Sequence, residues 1–281
     1  MINKRLFSNK NVALKKCKHG YFLYYINDLF IGRSLDLYGE WTENEFISLE
    51  SLIFPGNTVV DVGAYIGTHS VFFGQKVGPS GWVYSLEPQR NIYNLLCANV
   101  AINNLLNVKC INAAASDKKS SARMPILDPN AQQNFGAIGI DRFEEGELVD
   151  VVTLDSLQLP SCNLIKIDVE GLQAKVLTGA KSTITRHRPI LYVENNTTDH
   201  SKVTLVVLKE LKYKSYWHIL PYFNQNNFFG NSENVFERYQ PEVNLLCFPQ
   251  EAKVKVNGFI PVVGIGDNWQ RALERLKMSQ R

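Results

Sequence analysis

The chain has 281 residues, 45% hydrophobic and 20% charged, the composition of a globular protein with a sizeable core. Its formal net charge of +3 is too small to demand nucleic acid, whose binders concentrate basic residues on one face. Five scattered cysteines (Cys17, Cys97, Cys110, Cys162, Cys247) show no metal-ligand spacing, no secretory signal opens the chain, and no apolar run reaches the ~20 residues of a membrane helix, so a cytoplasmic enzyme with reduced thiols is expected.

Lys4, Arg5, Lys10, Lys15, Lys16 and Lys18 read as a solvated basic arm. Residues 20 to 38 alternate apolar and polar positions around Phe22, Tyr24, Ile26 and Phe30. With Asn27-Asp28 as the turn, this predicts an antiparallel hairpin. Thr42 and Glu45 then fit a capping box with Trp41 and Phe46 as its hydrophobic staple, opening a helix whose apolar face is Phe46, Leu49, Leu52 and Ile53. Pro55-Gly56-Asn57 ends it. Residues 1–54 therefore form an N-terminal extension in this reading, 55–250 the main domain, and 251–281 a C-terminal tail with a helix.

From residue 58 the pattern is strand, loop, helix, repeated. Strand-like runs fall at 58–62, 82–86, 107–113, 163–168 and 189–194, and helix-like runs at 68–77, 89–102 and 172–186. Such alternation predicts a mostly parallel, doubly wound sheet with helices on both faces. Between 120 and 155 the pattern weakens into an excursion ending in strand-like Leu148 to Leu154. A helix near 201–212, a strand Ser215 to Leu220, an Asn-rich aromatic loop Tyr222 to Glu237, and a strand Val243 to Phe248 follow. The last of these suits an antiparallel return beside its predecessor. Asp267 is placed to cap the final helix, Asn268 to Met278.

Three strand ends carry the chemistry. The run Val59-Val60-Asp61-Val62 delivers the chain into the turn Gly63-Ala64-Tyr65-Ile66-Gly67 and a helix start at Thr68-His69. A dinucleotide fingerprint spaces glycines as G-x-G-x-x-G. Here Tyr65 stands at the middle position, and pyrophosphate gains nothing from the carboxylate of Asp61. Asp61 and Glu87 ending successive strands suit S-adenosylmethionine, which has a cationic methionine end and a free ribose. Gly63 and Gly67 would admit the ligand to the backbone, Thr68 and nearby N–H groups would meet the methionine carboxylate, and Glu87 would hold the ribose hydroxyls. The second block is Leu164-Ile165-Lys166-Ile167-Asp168-Val169-Glu170-Gly171, with Asp168 on the same rim as Asp61 and Glu87. An internal lysine such as Lys166 is costly unless paired. The third block, Ile190-Leu191-Tyr192-Val193-Glu194-Asn195, again ends on a carboxylate.

Taken with Tyr38-Gly39-Glu40-Trp41, Gly179-Ala180 and Glu87-Pro88, these blocks resemble the FkbM family of S-adenosylmethionine-dependent methyltransferases over roughly residues 35 to 250. The resemblance implies an α/β class I methyltransferase (Rossmann-like) fold with a seven-stranded sheet, and O-methylation of hydroxyls on sugars or secondary metabolites. By that similarity Asp61, Gly63, Glu87 and Asp168 border the cofactor; the candidate cofactor contacts are Glu40, Asp61, Gly63, Ala64, Tyr65, Gly67, Thr68, Glu87, Ser116 and Asp168, with Tyr65 where relatives often carry Asn. Removal of the acceptor proton needs a base, for which Asp168, Glu194 and His218 are the candidates, with Glu170 beside them. Asn134, Phe135, Glu170 and Trp217 are candidate acceptor contacts. No metal is expected. The predicted partners are S-adenosyl-L-methionine, with S-adenosyl-L-homocysteine as product, and a small-molecule or glycan acceptor with a free hydroxyl. The loop Asn224 to Asn234, with Phe223, Phe228 and Phe229, suits the acceptor side, or equally a lid or a homodimer contact. The alternatives are a non-catalytic S-adenosylmethionine-binding module and an RNA or protein methyltransferase. A basic stripe near Asp168 would favour RNA, and none is visible.

Overall fold

A computed structural model describes residues 3–140 and 143–279. The chain opens with strands β1 (Phe7–Ser8), β2 (Val12–Cys17) and β3 (Gly20–Tyr25), then helices α1 (Ile31–Tyr38) and α2 (Glu43–Glu50). The repeating part follows as β4 (Thr58–Val62), α3 (Thr68–Val77), β5 (Trp82–Leu86), α4 (Arg90–Ile102) and β6 (Val108–Ile111). An excursion carries β7 (Ala114–Ala115), β8 (Ser120–Met124) and β9 (Glu147–Val152). Beyond it come β10 (Leu164–Ile167), α5 (Gln173–Gly179), α6 (Lys181–His187), β11 (Ile190–Glu194), α7 (Thr198–Glu210), β12 (Tyr213–Leu220), β13 (Glu242–Pro249), β14 (Ile260–Pro261) and α8 (Trp269–Ser279).

Among the described residues the central sheet has eight strands in the order β14-β12-β13-β11-β10-β4-β5-β6. Strands β11, β10, β4, β5 and β6 run parallel, while β13 pairs antiparallel with both β11 and β12. The predicted return strand thus inserts between its two predecessors, and the two-residue β14 adds an eighth strand to the seven expected. The chain leaves β4 toward β5 on one side, and β10 pairs on its other side. The carboxyl ends of β4 and β10 therefore form the switch point where an open α/β sheet has its crevice.

Both faces are covered. Val60, Ile165, Ile167 and Leu191 pack under Val176 and Leu177 of α5, Ile184 of α6 and Leu205 and Leu208 of α7. Val59, Val83 and Leu164 point the other way, onto Phe46 and Leu49 of α2, Phe72 and Phe73 of α3, and Leu96 and Val100 of α4. Period-2 alternation along each strand meeting period-3.6 faces on each helix builds this two-sided core.

The N-terminal part departs from expectation. The hairpin is β2–β3, turning at Lys18-His19, and residues 31–38 are helical. The buried Asp28 explains this, since its carboxylate accepts from Phe30 N (3.1 Å) and Gly32 N (2.6 Å) and so starts α1 rather than a strand. Nor is the basic arm simply solvated, because Lys15 is buried and pairs with Asp36, as Arg5 does. The capping box is absent. Thr42 is left-handed at φ 43°, its side chain makes no cap, and Glu45 turns inward. The single helix expected at 172–186 breaks at Ala180, where Gly179 passes so close to Ser116 that a Cβ would lie 2.0 Å from its carbonyl oxygen. Asn268, rather than Asp267, caps α8 by accepting from Arg271 N; Asp267 instead holds Arg275 and the Trp217 indole.

Candidate active site

A cavity of about 300 Å³ opens at the switch point. Its floor is the turn after β4. Gly63 has φ 77°, and a Cβ there would lie 1.8 Å from the Asp168 carbonyl oxygen, so the close approach of the two strand ends requires glycine. Tyr65 is also left-handed, at φ 50°. Its N–H donates to Glu87 Oε2 at 3.0 Å, and its hydroxyl donates to Asp28 Oδ2 at 3.0 Å. Glu87 Oε1 accepts from Gln89 N at 2.8 Å. Burial pushes the Glu87 carboxyl up to about 7, although these two N–H groups favour its charge.

The next strand end supplies Asp168, which is anchored from beneath. The register sets Lys166 beside Asp61 on one neighbour and Tyr192 on the other. The Lys166 ammonium lies 3.1 Å from Asp168 Oδ2 and 3.7 Å from Asp61 Oδ1. Burial opposes its charge, but Asp168, Asp61 and Glu45 outweigh that and hold the ammonium above its ordinary range. Asp61 is fully buried, with Ser70 Oγ donating to its Oδ2 at 2.6 Å. The costly internal lysine is therefore paired, as a buried charge requires. Glu194, at the end of β11, accepts from Gln173 Nε2 (3.0 Å) and Asn196 Nδ2. Burial first, then Asp168, Glu170 and Glu242, hold its carboxyl well above the usual range.

Of the residues singled out in the sequence, Gly63, Tyr65, Glu87, Asn134, Phe135, Asp168, Glu170 and Glu194 line this cavity together. The others lie elsewhere. Asp61 sits behind Lys166, Ala64 is in the core under α2, and Gly67 and Thr68 open α3. Glu40 accepts from Asn224 Nδ2 and Phe228 N, tying the aromatic loop to the extension, and Ser116 donates to Asp117. His218 is buried between Tyr192 (2.8 Å) and Ser48 (3.1 Å), and burial lowers it to about 4. Trp217 is a core residue, 1% exposed, with its indole N–H on Asp267. Both have a satisfied structural environment away from the cleft. Sequence reasoning missed Phe30, Trp41, Gln89, Tyr222 and Glu242, which also line it. The sequence pattern set 243–248 beside 215–220 alone, so nothing in it pointed to Glu242; the pairing with β11 is what brings it near Glu194.

The Methyltransferase FkbM domain matches residues 61–229, which contain the turn and all three strand ends. The chain belongs to the FkbM methyltransferase family. Its sheet order is that of the class I methyltransferase fold, with an eighth edge strand. Among solved structures, the methyltransferase FkbM from Methylobacillus flagellatus KT is similar at 20% identity and a TM-score of 0.46, over 69% of this chain and 44% of that one. This FkbM-family chain thus spans less than half of that protein. Precorrin-6y C5,15-methyltransferase from Geobacter metallireducens GS-15 matches at 12% identity over 73% of this chain and 87% of that one (TM-score 0.46). The O-methyltransferase from Bacillus cereus in complex with SAH matches at 10%, over 73% and 78% (TM-score 0.41). No curated protein matches. Among the described residues no helix is long and apolar enough to cross a membrane.

Proposed function

We propose that the chain is an S-adenosylmethionine-dependent O-methyltransferase acting on a hydroxyl of a sugar, glycan or secondary metabolite. The observation that carries this reading is the convergence of Glu87, Asp168 and Glu194, from three strand ends, on one cleft beside the Gly63 turn. The residues fit the cofactor. Glu87 is a buried acceptor held by two backbone N–H groups, which suits the ribose hydroxyls. Ala113, Ala114 and Met124 give an apolar wall for the adenine, and Asp168 faces the methionine end.

When bound, S-adenosylmethionine supplies a methyl group activated on a sulfonium centre. The protein's task is then to align the acceptor oxygen and take its proton. Glu194 suits proton uptake, because a carboxyl whose buried environment raises its proton affinity is a stronger base once ionised. Asp168, fixed by Lys166, positions the cationic end. Glu170, Asn134 and Phe135 border the acceptor. Thermal-shift measurements with S-adenosylmethionine, S-adenosylhomocysteine and NAD test the cofactor, with stabilisation by the first two only expected. No stabilisation by either would overturn the reading. Asp168→Asn and Glu194→Gln should each cut methyl transfer to a hydroxylated acceptor by roughly 10²–10⁴-fold. Full turnover in both variants would remove the proposed roles.

A further inference from the structure

The cleft holds more acid than methyl transfer to a simple hydroxyl uses. Five of its described lining residues are Glu87, Asp168, Glu170, Glu194 and Glu242, and none is Lys, Arg or His, although the whole chain carries +3. Glu87 is engaged by backbone N–H groups and Asp168 by Lys166. Glu194 and Glu242 are different, since among the described residues neither is hydrogen-bonded to a cation. Glu194 has the amides of Gln173 and Asn196 and shares a hydrogen bond with the Asp168 carboxyl, and Glu242 has the Asn244 amide at 3.4 Å and the Tyr222 hydroxyl. Burial, followed by Glu45 and Asp168, raises Glu242 to about 8. Desolvated carboxyls that repel one another keep protons until a cation arrives.

Another wall of the same cavity is aromatic. Trp41 stacks on Tyr222 at 5.3 Å and 25°, and Phe30 meets Tyr222 edge-on at 5.7 Å; all three line the cavity. A protonated amine gains from both surfaces at once, through charge-assisted hydrogen bonds to carboxylates and attraction to aromatic faces. A phosphate or carboxylate gains from neither. Among the described residues no three His, Cys, Asp or Glu side chains are gathered to hold a metal ion, so the acids are not arranged for that cation.

The geometry points to an acceptor that carries a protonated amine near its reacting hydroxyl, as amino sugars and aminocyclitols do, seated by Glu194, Glu242, Trp41 and Tyr222. This rests on the methyltransferase reading above and narrows its substrate class. Anionic acceptors, including uronates, sugar phosphates and nucleic acids, are disfavoured by the same charges.

The test is calorimetry on the full chain saturated with S-adenosylhomocysteine at pH 7.5, using the methyl glycosides of glucosamine, glucose and glucuronic acid as probes. The glucosamine glycoside should bind at least about tenfold more tightly than the glucoside, with proton release seen as a buffer-dependent heat, and the glucuronide should not bind. Glu242→Gln should cut the amine preference to under about threefold while leaving homocysteine-product affinity unchanged. Equal binding of amine and neutral probes, tighter binding of the glucuronide, or binding of none of the three overturns the amine-bearing acceptor. Failure of S-adenosylhomocysteine itself to bind is a separate result, and overturns the methyltransferase reading instead.

Discussion

Glu87 shows how burial can tune one carboxyl, in the proposed function toward a ribose, at a cost to the fold. Burial lifts it from 4.5 to about 7. Because its folded-state pKa lies above the unfolded one, its contribution to stability is fully present below pH 4.5 and is lost as the pH rises through about 7. Ligand binding runs the other way. Two ribose hydroxyls can both donate only to the ionised carboxylate, so affinity for S-adenosylhomocysteine should weaken about tenfold between pH 8 and pH 6. In Glu87→Gln that dependence should vanish and affinity should fall at every pH, while the unliganded protein above pH 7 melts about 2–4 °C higher for each kcal/mol of relieved burial. Titration calorimetry across the range, with melting curves beside it, checks both halves. An unchanged pH profile in the variant would show that Glu87 does not touch the ligand. Lys166 illustrates a related economy, since one cation offsets the charge of the hidden Asp61 at 3.7 Å and fixes the exposed edge of Asp168.

At the level of elements, the strands and helices of the repeating part were legible because each has one period and one burial pattern. The runs at 58–62, 68–77 and 82–86 coincide with β4, α3 and β5. The start of α2 was misread for a physical reason. Thr42 and Glu45 have the spacing of a capping box, but Glu45 is drawn inward to His69 Nε2 and Asn244 Nδ2, both at 2.9 Å. Asn244 lies 199 positions away in the chain, so no local pattern announces it. Thr42 is left with its hydroxyl buried and unbonded among the described residues, at φ 43°. A left-handed β-branched residue costs about 1–2 kcal/mol, and glycine gives back roughly 0.5–1 in chain entropy. Thr42→Gly should therefore raise unfolding free energy by about 1 kcal/mol once the lost unsatisfied hydroxyl is included. Denaturant midpoints measure it, and a decrease would mean that Thr42 holds the turn through a contact worth more than its strain.

Across the whole molecule, the part of the site that escaped the sequence is the part assembled by chain return. Asp168 and Glu194 were readable because a strand end declares itself locally. Phe30, Trp41, Tyr222 and Glu242 join them only because the extension and the inserted strand β13 close over the cleft, with Glu194 opposite Asn244 and Glu242 two residues beyond. That closure buries a set of ionisable groups whose sum governs behaviour with pH. Burial raises Glu45 to about 8, Glu87 to about 7 and Glu242 to about 8, all from 4.5. These groups favour the fold below 4.5 and withdraw that support as the pH climbs through 7 to 8. Burial also lowers His69 to about 3 and His218 to about 4 from 6.5, so their contribution is present above 6.5 and lost as the pH falls toward 3 to 4. Between 4.5 and 6.5 these three acids, joined by Glu194, outweigh two histidines, and above 6.5 the acids act alone. The unliganded chain should accordingly melt highest near about pH 5 and lose stability steadily toward pH 8.5. S-adenosylhomocysteine, by binding the ionised form of Glu87 and placing its ammonium in an acidic cleft, should flatten that decline. Scanning calorimetry from pH 5 to 8.5 with and without the ligand measures the two slopes. A melting temperature that instead rises across the range without ligand would mean that these carboxyls fold already ionised, and that the cleft carries its negative charge without waiting for a cation.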